Sequence, residues 1–170
     1  KVARAAGIVS TSTAGAVGIL TNLVTGISTV DVAINDVIDN QHFILGTKVT
    51  AVGGAFVTCD RDSTNTAAAS SQNVKFLGVT TAYTSSAKSI LVGGTFANNT
   101  TQSVNLSVTV WDNSASTEVS IAGKIPVPNG SSFVISDAGK TVLEASDQIR
   151  IYCDTANAID ATLSILTGVS

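Results

Sequence analysis

The side chains able to do chemistry are few. There is one histidine, His42, two cysteines, Cys59 and Cys153, and two glutamates, Glu118 and Glu144. His42 lies between Asn40-Gln41 and Phe43-Ile44, the setting of a turn or core imidazole rather than of a general base. A single histidine cannot complete an H-E-x-x-H pair, and with two cysteines far apart in sequence and no C-x-x-C it cannot complete a zinc site. No nucleophile elbow, P-loop or dinucleotide fingerprint occurs. Paired carboxylates would suit glycoside hydrolysis, but Glu118 and Glu144 sit in separate corner-like contexts. Asp31, Asp36 and Asp39 cluster before the first hairpin, and Asp60-Arg61-Asp62 heads a polar loop. Calcium takes several oxygens from one loop, and no Asp-x-Asp-x-Asp-Gly run supplies them. We expect no catalytic residue, no cofactor and no metal, and hence no enzyme.

Two features leave a choice open. Trp111-Asp112-Asn113 closes a strand. A tryptophan there serves as lid of the core or, as a surface contact, stacks on a sugar or anchors a partner. An oxidising compartment would allow Cys59 and Cys153 to pair, whereas a reducing one would keep both as small buried side chains.

The composition explains why so little chemistry is on offer. Charged residues make up 12% of the 170, against about 25% in an average soluble protein. Ser and Thr supply about a quarter, there are 14 Gly and no Met, and the strong helix formers are scarce. β-Branched residues and hydroxyls fit pleated, half-buried surfaces, so the chain reads as all-β. A net charge of −3 and a pI near 4.8 argue against nucleic acid, which needs a basic surface. With 44% hydrophobic residues, so weakly charged a surface suits packing against neighbours. A homo-oligomer follows, with a Ser/Thr/Asn-coated monomer as the alternative.

Three zones differ in texture. In residues 1–40 the apolar run is broken by Ser10-Thr11-Ser12-Thr13 and by Gly7, Gly15, Gly18 and Gly26. A signal or membrane-spanning segment would be continuously apolar. We therefore expect no membrane segment and an extended N-terminal arm, ending in an alternating stretch at Val30–Ile38. Its apolar residues Val9, Val17, Leu20, Val24 and Ile27 would be the assembly contacts. Residues 41–170 would form an antiparallel β-sandwich, jelly-roll or immunoglobulin-like. Its first part, 41–87, contains a hairpin across Gly53-Gly54, a polar loop at Asp60–Asn73 and a strand at Val74–Tyr83. The regular core, 88–170, holds strands at Ser89–Phe96, Ser103–Trp111, Thr117–Ile125, Ser132–Ser136, Thr141–Leu143, Gln148–Cys153 and Ala161–Leu166. Val104, Leu106, Val108 and Val110 alternate with Asn105, Ser107 and Thr109, so one face is core. Asn129-Gly130 and Asp137-Ala138-Gly139 read as turns. A short echo, Leu23–Ser28 against Ile165–Ser170, suggests two edge strands able to pair.

The run Lys124-Ile-Pro-Val-Pro-Asn-Gly-Ser-Ser, followed by Asp137-Ala-Gly-Lys-Thr-Val-Leu-Glu and Ser146-Asp-Gln-Ile-Arg-Ile, resembles small β-rich structural proteins of tailed bacteriophages, cyanophage proteins especially. Ser103–Asp112 and the opening Lys1–Thr11 are similar to the same family. The resemblance covers roughly the last half of the chain and implies a virion component, assembled in the host cytoplasm, with no catalytic residues to carry over. Its partners would be other copies of itself and other virion proteins, either the major capsid protein or those of neck and tail. Capsid decoration or cementing is the leading station; neck, collar or tail is the second, and a carbohydrate-binding module is a reading of another class.

Overall fold

The computed structural model describes residues 1–136 and 140–169. The expected turn at Asp137-Ala138-Gly139 lies outside them. The described residues contain no α-helix, and every strand pairing whose register is resolved is antiparallel. The chain divides into two compact units, one of Lys1–Gly7 with Thr80–Ser170 and one of Ile8–Val79.

The first unit is a two-sheet sandwich. Strands β1 (Val2–Arg4), β15 (Ile159–Thr167), β9 (Ser89–Asn98) and β12 (Ser132–Ile135) lie in that order, and β13 (Thr141–Leu143) also pairs with β9. The second sheet runs β11 (Thr117–Val127), β10 (Val104–Asp112), β14 (Gln148–Cys153), β8 (Thr80–Thr84). Leu91, Phe96 and Leu163 from the first sheet share one buried core with Leu106, Val108 and Ile151 from the second. Strand periodicity explains this division, since on β10 the even-numbered residues face inward. Pro126, which has no N–H to donate, falls on β11 at the sheet's edge, where no outer neighbour needs one.

The second unit is a six-stranded sheet closed on itself. Its order is β4 (Val37–Asp39), β7 (Ala69–Gly78), β2 (Gly7–Val17), β3 (Leu23–Thr25), β6 (Phe56–Cys59), β5 (Val49–Val52). The two end strands are bridged at Val37 and Lys48. The Ile38 N–H donates to Thr47 O and the Val49 N–H to Asp36 O, both at 2.9 Å. Closure removes the open edges that would otherwise template further pairing. The barrel interior holds Val17, Val24, Ile38, Val57, Val74 and Phe76.

These units correct the expected 1–40 arm. Residues 1–7 complete the sandwich: the Lys1 amine donates to Leu163 O at 2.7 Å, the Ala5 N–H donates to Ile159 O at 3.0 Å, and Ala5 is fully buried. Residues 8–40 belong to the barrel. The glycines that suggested an extended arm are partly close approaches: a Cβ on Gly15 would stand 2.6 Å from the Val74 side chain. The alternation at Val30–Ile38 is strand only from Val37; the preceding residues form turns, with Asp31 and Asn35 at positive φ. The expected strand Val74–Tyr83 is two strands, β7 and β8, one in each unit. The polar stretch Ala69–Asn73 opens β7 rather than ending a loop. Finally, β3 and β15 lie in different sheets and do not pair. Their echo marks a shared ending, since Gly26 and Gly168 each take a left-handed φ just past a strand-closing threonine.

Candidate functional site

The structure disperses the groups that could do chemistry. His42 sits in a turn, its N–H donating to Asn40 Oδ1 at 2.9 Å and its carbonyl accepting from Thr64 N at 2.7 Å. Asp36 accepts from Ala33 N at 2.8 Å, and burial pushes its carboxyl above the ordinary range. Asp147 accepts from Asn113 N and Glu144 N, and Asp154 from Asn105 N and Nδ2. These carboxylates satisfy loop N–H groups, the ordinary work of aspartate at turns. Among the described residues no group of three His, Cys, Asp or Glu is placed to hold a metal. Cys59 lies in the barrel core and Cys153 in the sandwich core, both unpaired thiols. Burial pushes the Cys59 thiol up to about 12.

Trp111 is not the lid of the core. It falls on the same side of β10 as Ser107 and Thr109, opposite the core-facing Val108 and Val110. There the Arg150 guanidinium stacks over its ring, 4.5 Å from the centroid. Arg150 Nη1 lies 3.4 Å from Glu118 Oε2, both side chains mostly shielded, and its Nε donates to Gln148 Oε1 at 2.8 Å. Glu118 accepts in turn from the Thr109 hydroxyl. Burial lowers the Arg150 pKa, the expected effect on a shielded cation. This cross-strand ladder ties β10, β11 and β14 together and already occupies one face of the indole ring.

Of the expected assembly contacts, Val17, Val24 and Ile27 are buried in the barrel and Val9 packs against it. Their apolar character served the unit's own core. Leu20 alone is on the surface, 63% exposed at φ +44° in the β2–β3 connection.

A further exposed apolar feature is the outer face of the five-stranded sheet. Register aligns two rows across it. Val2, Thr162, Thr95 and Val134 stand side by side on β1, β15, β9 and β12. Leu166, Ile90 and Val142 stand side by side on β15, β9 and β13. Val2 is 80% exposed, and Val134, Val142 and Leu166 are each more than half exposed. None of the seven is charged. Two ion pairs flank the rows, Arg4 with Asp160 at 2.5 Å on the outward side and Lys88 with Glu144 at 3.8 Å, and the exposed Lys140 stands just before β13. Between the rows Gly93 leaves a dent of about 420 Å³ bordered by Val92, Val134 and Ser164. A Cβ on Gly93 would stand 2.9 Å from Ile135 O, so the dent is fixed by the backbone.

Sequence reasoning missed this face, although a signal existed. A sheet with one wet face alternates apolar and polar residues, as β10 does, whereas strands covered on both faces read as continuous apolar runs. Ile90-Leu91-Val92, Phe133-Val134-Ile135, Val142-Leu143 and Ile165-Leu166 are short runs of this kind, all in this one sheet, while the first part of β15 alternates Asp160, Thr162 and Ser164 with core residues. The fold and face together define an all-β protein with an exposed sheet face of mixed apolar and hydroxyl residues. Compared with protein-family models, curated proteins and solved structures, the chain matches none.

Proposed function

We propose that the chain is a structural component of a bacteriophage virion, decorating or cementing the capsid, and that the outer face of its five-stranded sheet is a surface through which it associates. The observation that carries this reading is that exposed face, two neutral rows in which Val2, Val134, Ile90, Val142 and Leu166 stand with Thr95 and Thr162. Contiguous exposed apolar surface rimmed by polar groups marks interaction sites rather than ordinary exterior. The resemblance of Lys124–Ile151 to phage structural proteins adds the virion as the setting. The scattered carboxylates, turn histidine and core thiols add no competing chemistry. A neck, collar or tail position is the alternative station. A carbohydrate-binding module draws less support, because Arg150 already stacks on Trp111.

Particles assembled with and without this chain, imaged in negative stain, test the proposal. Mass missing from the shell supports capsid decoration, and mass missing from the neck or tail selects the alternative station. Particles of unchanged composition and appearance overturn the proposal.

A further inference from the structure

We infer that the outer face of the five-stranded sheet binds a second copy of this chain, sheet against sheet, as a two-fold dimer. The inference names the partner for the face on which the proposed function rests. Three observations select a second copy over an unrelated protein.

The first is charge. The chain carries a net charge of −3, so two copies repel weakly unless they meet where charge is balanced. The two rows contain no charged side chain, and two of the flanking ion pairs are closed within one copy, Arg4 with Asp160 and Lys88 with Glu144, while the exposed Lys140 adds a charge just before β13. The Arg4 hydrogen bond holds the Asp160 carboxyl below its usual range, so this compensation persists into mildly acidic solution. A face neutral in itself is complementary to its own image, whereas selecting a foreign partner usually relies on complementary charge.

The second is size. Three full strand columns about 4.8 Å apart and nine residues of about 3.3 Å each, with the short β1 added, give roughly 450–500 Å² in projection. Side-chain relief raises the accessible area toward the ~600 Å² per partner found at the lower end of stable specific interfaces. That suits a reversible rather than a permanent dimer; area does not set affinity, and a dissociation constant on the order of 1–10 μM is the expectation carried into the test.

The third is relief. Leu166 and Val142 project from one row, and the Gly93 dent lies beside it. A two-fold operation sets each copy's projections against the other copy's hollow, the reciprocal contact of an isologous interface. Two twisted sheets pack this way about 10 Å apart.

Sedimentation velocity of the purified chain, from about 1 to 100 μM, spans the expected constant. The expected result is a monomer–dimer equilibrium in the wild type. Val134→Lys and Leu166→Glu each shift the half-dimer concentration upward at least tenfold while leaving the thermal midpoint of the monomer unchanged. Val119→Lys, an equally exposed valine on β11 of the other sheet, leaves the equilibrium where it was. Ser164→Cys, an exposed position on the border of the Gly93 dent and two residues from Leu166, supplies a second readout, since only a residue near the two-fold axis meets its own image. Both native thiols are buried, so oxidation of this variant gives a cross-linked dimer and oxidation of Val119→Cys does not. A wild type monomeric throughout that range, or a dimer insensitive to Val134→Lys and Leu166→Glu, overturns the inference. Recovery of the same variants in particles separates the two readings. A monomeric wild type whose Val134→Lys variant is lost from particles overturns the dimer and leaves the virion proposal standing. A dimer that never enters particles does the reverse.

Discussion

Replacing Val108 with aspartate tests whether β10 is held in the register that points its even-numbered residues inward. Val108 is fully buried between β11 and β14, opposite Ala122 and Ile151. Losing the valine's burial costs about 1.5 kcal/mol or more. A carboxyl there would have to be protonated in the folded state, which at pH 7 costs about 1.4 kcal/mol for each of roughly three pH units above the unfolded pKa near 3.9, or about 4 kcal/mol. Burying the neutral acid without a partner adds about 1–3 kcal/mol. The sum, about 6.5–8.5 kcal/mol, rivals the ~5–15 kcal/mol stability of an ordinary domain. The sign with pH follows from the raised folded pKa. The unfolded state is the one that ionises readily, so the protonation cost is present well above pH 3.9 and fades as pH falls toward it. Urea unfolding followed by circular dichroism should find Val108→Asp unfolded or nearly so at pH 7. It should recover roughly 4 kcal/mol relative to wild type at pH 4. Val108→Thr, which keeps the shape, should cost about 1–3 kcal/mol at both pH values. Val119→Asp, on an exposed position, should stay within about 0.5 kcal/mol of wild type. A loss below about 2 kcal/mol for Val108→Asp at pH 7, or one that does not relax with acid, would refute the assigned register, because a one-residue slip exchanges the two faces of a strand.

Other expectations follow from the same contacts. Arg150→Met removes the cation above Trp111 and leaves Glu118 shielded without it. It should cost about 3 kcal/mol and shift the tryptophan emission, and pairing it with Glu118→Gln should recover part of the loss in a double-mutant cycle. Asp36→Asn should be neutral or mildly stabilising at pH 7, because burial raises the wild-type carboxyl and its charge opposes folding there. The advantage should vanish in urea titrations as pH falls through the carboxylate range. Neither Cys59 nor Cys153 should react with a thiol reagent in the folded protein, and two thiols should appear on unfolding. Gly15→Ala should lower the urea midpoint by an amount equivalent to about 1–3 kcal/mol, since its Cβ meets the Val74 side chain at 2.6 Å.

The strands from Ser89 onward were legible nearly to the residue, because each carries a local signal. Val104–Val110 alternates, Pro126 and Pro128 precede the Asn129-Gly130 turn, and Gly130 takes the left-handed φ that such a turn needs. The first forty residues were not legible, for a reason of distance rather than composition. The partner of Val2 is Thr162 and that of Val24 is Val57; no local pattern announces pairings that long. The barrel's closure is equally non-local, resting on a bridge between Val37 and Lys48 at the two ends of the sheet order. The division at Val79 hides inside Phe76-Leu77-Gly78-Val79, a run that reads as one strand. Association was anticipated from the weak charge, but it was assigned to Val17, Val24 and Ile27, which the barrel uses for itself.

The scarcity of charge takes on a specific meaning once its placement is known. In the sandwich unit Arg4 pairs with Asp160, Lys88 with Glu144 and Arg150 with Glu118. The last pair is shielded on the outer side of the four-stranded sheet, and the first two flank the apolar rows of the five-stranded sheet. Exposed pairs of this kind contribute little to stability, so their placement matters more for what they leave neutral. A chain selected only to stay dispersed would place lysine or glutamate at positions such as 134, 142 and 166, where the backbone is indifferent and water is at hand. Valine and leucine stand there instead. Such a sequence fits a sheet whose second face is covered in use, and the covering has to come from outside the sandwich's own core. On the proposed dimer, assembly would complete the sandwich's second surface through the face that carries Val134, Val142 and Leu166.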